Sequence, residues 1–271
     1  MSGIYTDRNE YVLSTWIGEY SDFREILKCA KDNGFDYVEL WGDSVHFDPR
    51  AGIDRTDIKK WLKEYDLNVH SVHAPFRRFK PEFANSDDFL KYRMKLWHKT
   101  IEDCSDFEVP IMVMHGLDRF EYNYKNSDVH IVKDTFADLC EYGNKYGVSI
   151  ALENVPPVGD EDEIICTLQN QKKLYGDIPG LKYCLDIGHV VLSNVDIHDE
   201  IDAAMPNIVT MHIHNNDGKN DLHNIPTDGV IDWPEVHDYM RKKGYTAQFV
   251  LEVFGGDDPF AKIKELSSLF D

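Results

Sequence analysis

Eight short apolar runs recur along the chain: YVLSTW (11–16), DYVELW (36–41), NVHSVH (68–73), PIMVMH (110–115), VSIALE (148–153), LKYCLD (181–186), IVTMHIH (208–214) and QFVLEV (248–253). Most are rich in β-branched residues and apolar almost throughout. That is the pattern of strands covered on both faces, hence parallel. Between them lie amphipathic stretches: SDFREILKCAKDNG (21–34), DIKKWLKEY (57–65), DDFLKYRMKLWHKTIEDCSDF (87–107), VKDTFADLCEYGNKYG (132–147) and WPEVHDYMRKKG (233–244). Ser21 is a candidate N-cap for the first, and several end on a glycine where a left-handed C-cap is wanted. The segment after Pro259 reads as a closing helix. Eight strand–helix units in one chain of 271 residues predict a single-domain α/β fold, a (β/α)8 TIM barrel spanning 1–271. The competing architecture is an open doubly wound sheet, but no glycine-rich phosphate loop follows the first run.

Charge narrows the partners. Lys and Arg total 29 against 49 Asp and Glu, a net charge of −20. Such a chain repels phosphate backbones, so nucleic acid is a disfavoured partner. Cys29, Cys104, Cys140, Cys166 and Cys184 are odd in number and form no CxxC, which suits free thiols in a reducing compartment. The first residues show no signal-peptide pattern and no apolar run is long enough to span a bilayer. The expectation is a cytoplasmic protein without a membrane partner.

The polar residues are placed unusually. Glu39 lies near the end of the second run, and His73, His115, Glu153 and Asp186 end the next four. His212 and His214 close the seventh, and Glu252 sits at the end of the eighth. A buried strand has little reason to carry an unpaired His or carboxylate. A single one is more often a hydrogen-bonded structural residue than a ligand; recurrence on consecutive strands is not so easily explained. In a parallel barrel these ends share one mouth, where barrel enzymes keep their chemistry. Glu153, Asp186 and Glu252 converging there without a cation would repel one another, so a divalent metal is expected. Mixed imidazole and carboxylate donors suit Zn²⁺ or Mn²⁺ better than Ca²⁺.

Other residues take blander readings. His46, His98, His130, His198 and His237 fall in loops or on helices and read as surface residues. His70 has the opposite strand parity to His73 and is expected to point away from the barrel interior. Trp61, Tyr65, Phe89, Trp97 and Phe107 fit helix faces packed on the barrel. Trp16, Trp41 and Phe76 lie at strand ends, where they could line either a sugar pocket or the core. The segment from His212 to His223 packs three histidines and two aspartates into twelve residues, as a metal site or an ordinary polar loop would.

In this order, SVHAPF, ALENV, YCLDIGHV, HIHNND, DLHNIPTDGVIDW and FVLEVF resemble the xylose-isomerase-like barrel superfamily, over nearly the whole chain. That superfamily holds sugar isomerases and epimerases, inosose dehydratase-like enzymes and apurinic endonucleases of the endonuclease IV type. The resemblance implies one metal held by Glu153, Asp186, His212 and Glu252, with His214 an alternative to His212. It implies that Glu153 and Glu252 are the acid–base pair and that His189 reaches substrate or a further metal. The three-zinc pattern of the endonucleases implies further ligands at His73, His115, His189, Asp221 and His223. Two departures stand out. Ketohexose epimerases carry a substrate-gripping Arg soon after the strand 7 His, where this chain offers Lys219. A DNA-facing surface has only Arg77, Arg78 and Lys80 to draw on.

The leading expectation is therefore a metal-dependent sugar or sugar-phosphate isomerase or epimerase of carbohydrate metabolism, with Trp16, His189 and Lys219 as substrate-binding candidates. A multinuclear-metal phosphodiesterase of the endonuclease IV type is the alternative, and a non-catalytic sugar-binding barrel a third. Members of the superfamily are often dimers or tetramers, which implies a homo-oligomer.

Overall fold

The computed structural model describes residues 7–43, 46–50, 54–76, 86–116, 129–157 and 166–270. Eight parallel strands close into a barrel in chain order: β1 (Tyr11–Ser14), β2 (Tyr37–Trp41), β3 (Asn68–His73), β4 (Ile111–His115), β5 (Ser149–Glu153), β6 (Lys182–Asp186), β7 (Ile208–Ile213) and β8 (Phe249–Leu251), with β8 paired back onto β1. Helices α1 (Phe23–Asp32), α2 (Arg55–Glu64), α3 (Ser86–Asp106), α4 (Val129–Tyr146), α5 (Leu168–Tyr175), α6 (Ile187–Leu192), α7 (Ile197–Ala204), α8 (Trp233–Lys242) and α9 (Pro259–Ser267) surround it.

The N-cap of α1 is Asp22, not Ser21: its carboxylate accepts from the Glu25 N–H at 3.1 Å. Gly34 follows in the left-handed conformation at φ +82°, as a C-terminal stop requires. Helices α5, α6 and α7 lie outside the amphipathic stretches marked by the sequence. They run only six to eight residues, too short to display a hydrophobic period. Each is fixed instead by its cap, from Thr167, Asp186 and Asp196.

Two apolar layers form. Residues such as Met112, Ile150, Leu152 and Leu185 point outward into the main core, against helix residues such as Ile26, Phe136 and Ile201. Ile111, Val113, Ala151 and Cys184 form a smaller cluster of the opposite parity. They share their face with His115, Glu153 and Asp186, so this cluster is an apolar floor under the mouth. The cysteines are free, and all but Cys29 are buried. No helix among the described residues is long and apolar enough to cross a membrane.

Two histidines depart from expectation. The β2–β3 register shifts between Val38 and Glu39, pairing Val69 with Val38 but Ser71 with Glu39. This bulge at His70 breaks the strand parity. His70 turns inward, and its Nε2 lies 3.1 Å from Thr210 Oγ1 on β7, across the barrel. His46 is fully buried rather than exposed, stacked on Phe23 with ring centroids 4.6 Å apart. Its Nε2–H donates to the Ser21 carbonyl at 3.4 Å.

Burial pushes the His46 imidazole down to about 4. The unfolded chain takes up this proton near 6.5, so between the two values it binds more protons than the native state. Stability is intact above pH 6.5 and falls as pH drops, by roughly 3 kcal/mol near pH 4. His46→Gln should flatten that part of the acid profile in urea melts from pH 7 to 4.5. Parallel profiles for the two proteins would refute the assignment.

Candidate active site and metal centres

His212 on β7 is fully buried at the centre of the mouth. Its Nδ1 lies 3.1 Å from Glu153 Oε1 and 3.3 Å from Glu252 Oε2, and its Nε2 lies 3.2 Å from Glu39 Oε2. Asp186 closes β6, and Glu252 follows β8 directly. Glu153, Asp186, His212 and Glu252 each offer one donor atom, all within 4.8 Å of one another.

A second cluster adjoins the first through Glu153. Its Oε2 lies 3.2 Å from His73 Nε2 and 3.5 Å from His115 Nε2. Aromatic rings back these imidazoles: Trp41 lies 4.5 Å from His73, and Phe76 lies 4.1 Å from His115.

The third cluster gathers His189, His214, Asp221 and His223. Asp221 reaches His189 Nε2 at 3.5 Å and His223 Nε2 at 3.2 Å. Asn215 and Asn224 exchange backbone hydrogen bonds at 2.9 and 2.8 Å, folding the histidine-rich segment back on itself. His223 adopts φ +48°, which is uncommon for a side-chain-bearing residue and is found preferentially at functional sites.

His212, rather than His214, stands between Glu153 and Glu252. The Nε2 of His214 instead lies 3.0 and 3.1 Å from the two oxygens of Asp186, and its ring stacks on His223 at 3.7 Å. Asp186 also accepts from the His189 N–H at 2.9 Å, as N-cap of α6, which sets the Asp–x–x–His spacing. Asn154 holds the β6 end through bonds of 2.8 and 2.9 Å to the Asp186 carbonyl and N–H. Sequence reasoning assigned nothing to Asn154, although it follows Glu153 inside ALENV. Nor did it place His214 beside the Asp221 pair.

Gly188 makes room for this arrangement. A Cβ there would lie 2.0 Å from His214 Cε1. Gly to Ala inside a helix ordinarily helps. Here Gly188→Ala should displace His214 from Asp186 and cost about 1–3 kcal/mol. Denaturant melts would measure it; a stabilised variant would contradict the assignment.

Trp16 stands in a 3-10 turn after β1, its ring 4.7 Å from His223 and 6.0 Å from Phe254. Lys219 is exposed in the loop after β7, its backbone N–H donating to Asp217 at 2.9 Å. Arg77, Arg78 and Lys80 lie outside the described residues.

Imidazoles and carboxylates within the mouth perturb one another strongly. Burial pushes the His212 imidazole down, but Cys184 and the Glu252, Glu153 and Glu39 carboxylates face it and hold it well above its ordinary value. Burial keeps the Cys184 thiol protonated, so the carboxylates supply that charge. Burial likewise pushes Glu153 up, and the His212 charge with hydrogen bonds from His115, His212 and His73 holds it well below the carboxylate range. Glu252 falls to about 2, with the His212 charge outweighing its burial. His214 Nδ1 is buried without a hydrogen-bond partner among the described residues. Imidazole and carboxylate donors, converging and buried with an unsatisfied nitrogen among them, fit a divalent cation.

A closed parallel barrel with these donors at the carboxyl ends of its strands defines a class of TIM-barrel proteins. The chain belongs to the xylose isomerase-like TIM barrel family, whose model matches residues 27–270. It is similar to the L-ribulose-5-phosphate 3-epimerase UlaE of Shigella flexneri, with 21% identity over 250 residues, 88% of this chain and 85% of the relative. Among solved structures, a D-tagatose 3-epimerase-like protein superposes with a TM-score of 0.78 at 21% identity, over 96% of both chains. A D-psicose 3-epimerase from Clostridium cellulolyticum H10, solved with D-tagatose, gives 0.75 at 15% identity, again over 96% of both. These likenesses extend over the whole barrel and show the fold.

Proposed function

We propose that this chain is a metal-dependent sugar or sugar-phosphate isomerase or epimerase that moves a proton beside a carbonyl. The observation that carries the reading is the Glu153–Asp186–His212–Glu252 cluster, four donors from neighbouring strands within 4.8 Å. The epimerase names of its relatives support the same class of enzyme.

Glu153, Asp186, His212 and Glu252 would hold the first cation, Zn²⁺ or Mn²⁺. His73 and His115 with Glu153, and His189, Asp221 and His223, would hold others. A bound cation would polarise the substrate carbonyl and stabilise the charge that develops on its oxygen. At the start of each turnover one glutamate is ionised, as a general base must be, and the other is protonated, as the acid that returns a proton must be. One takes the proton from the carbon beside the carbonyl, and the other returns one to the opposite face. Trp16, beside His223, offers an apolar ring to the C–H face of a sugar, while His189 and Lys219 contribute polar contacts to it. The reading includes a cytoplasmic location and a homo-oligomer.

The test is deuterium uptake from solvent across a panel of free and phosphorylated ketoses and aldoses, read by NMR. Label entering the carbon beside the carbonyl supports the reading; no uptake into any of them at full metal loading sinks it.

The two further donor clusters favour a second reading, a phosphodiesterase with two or three metals that generates a hydroxide and clamps a phosphate. Cleavage of an abasic duplex, lost in His115→Ala, would support it. No cleavage at any metal loading would exclude the DNA version.

A further inference from the structure

Glu39 takes no part in the proposed chemistry, yet it is fully buried beside the central imidazole. Its Oε2 accepts from Ser71 Oγ at 2.7 Å and lies 3.2 Å from His212 Nε2. Its Oε1 has no hydrogen-bond partner among the described residues. A buried carboxylate is costly unless a partner compensates it. The backbone helps to supply that partner, because the bulge at His70 brings Ser71 into register with Glu39 on the interior.

An imidazole that presents one nitrogen to a cation carries its proton on the other. The acceptor facing that other nitrogen fixes both the tautomer and the ring plane. His212 has two such faces: Nδ1 toward Glu153 and Glu252, and Nε2 toward Glu39. We infer that Glu39 is a positioning residue: by accepting a hydrogen bond from His212 Nε2–H, it locks the tautomer that turns the Nδ1 lone pair toward Glu153 and Glu252. Ser71 holds the carboxylate in line. The inference rests on the proposed reading that this cluster holds a cation.

The test compares the full chain with Glu39→Leu and Glu39→Gln, each stripped and then titrated with Zn²⁺ against a chromophoric chelator. Circular dichroism verifies the fold. Leu removes the acceptor and should weaken Zn²⁺ binding about 10–100-fold. Gln keeps an acceptor oxygen and should stay within a few-fold of the parent. In the Zn²⁺-loaded parent protein, ¹⁵N NMR should find the His212 proton on Nε2.

Unchanged affinity in Glu39→Leu would overturn the inference while leaving the metal reading intact. A Gln variant as weak as Leu would overturn it too, since charge rather than the acceptor would then matter. A proton found on Nδ1 would overturn it without any variant, which covers failure of Glu39→Leu to fold. A parent protein that takes up no Zn²⁺ would remove both the inference and the reading beneath it.

Discussion

Glu153→Gln is expected to lower turnover about 10²- to 10⁴-fold, the range set by loss of a general acid or base. Glu153 carries this weight because it belongs to two donor clusters at once. Its Oε1 lies 3.1 Å from His212 Nδ1, and its Oε2 lies 3.2 Å from His73 Nε2. The amide preserves volume, so the barrel should still close, but it removes the carboxylate charge that faces these imidazoles. Glu252→Gln should be similarly slow, although Glu252 serves only the first cluster. A pair working on opposite faces also makes a kinetic distinction. Each variant should still exchange a proton from one epimer while failing to complete the inversion. Deuterium wash-in measured from each epimer separately would show it. More than a tenth of parental turnover in both variants would remove the glutamates from the acid–base role.

The barrel is legible in the sequence because buried parallel strands leave a strong signature, and eight of them leave few architectures. Strand parity then places His115, Glu153 and Asp186 above the apolar floor of Val113, Ala151 and Cys184. What the pattern does not carry is anything that breaks its period. The bulge at His70 reverses the expected direction of that side chain and aligns Ser71 with Glu39. Helices α5 to α7 depend on single capping residues rather than on a hydrophobic stripe. The burial of His46 is a tertiary fact, produced by the stacking of a loop residue on Phe23 of α1. Within the histidine-rich segment, parity cannot separate His212 from His214. The separation comes from which carboxylates each faces, and Gly188 admits His214 to its place beside Asp186.

Stripping the proposed cation should destabilise the chain by about 4 kcal/mol relative to protein held at a thousandfold excess over the dissociation constant, as mass action requires of a ligand bound only by the native state. The pH dependence of this difference is the sharper part of the prediction. In the stripped protein, imidazoles raised by their neighbours face the carboxylates of the mouth. His212 is held well above its ordinary value, and His189 rises to about 10 despite its burial, through Asp186 and Asp221. Such raised imidazoles contribute stability that is complete below 6.5 and is lost as pH climbs through their folded values. A cation competes for the same nitrogens, so its binding releases protons and strengthens as pH rises. At one fixed cation concentration, the gap in melting temperature between loaded and stripped protein should therefore widen from pH 6 to pH 8. Elemental analysis of the loaded protein fixes how many clusters contribute. Close to one metal per chain would favour the isomerase or epimerase reading, and two or three would favour the phosphodiesterase. A gap that stays constant or narrows with pH would mean that the titrating imidazoles are not the ligands.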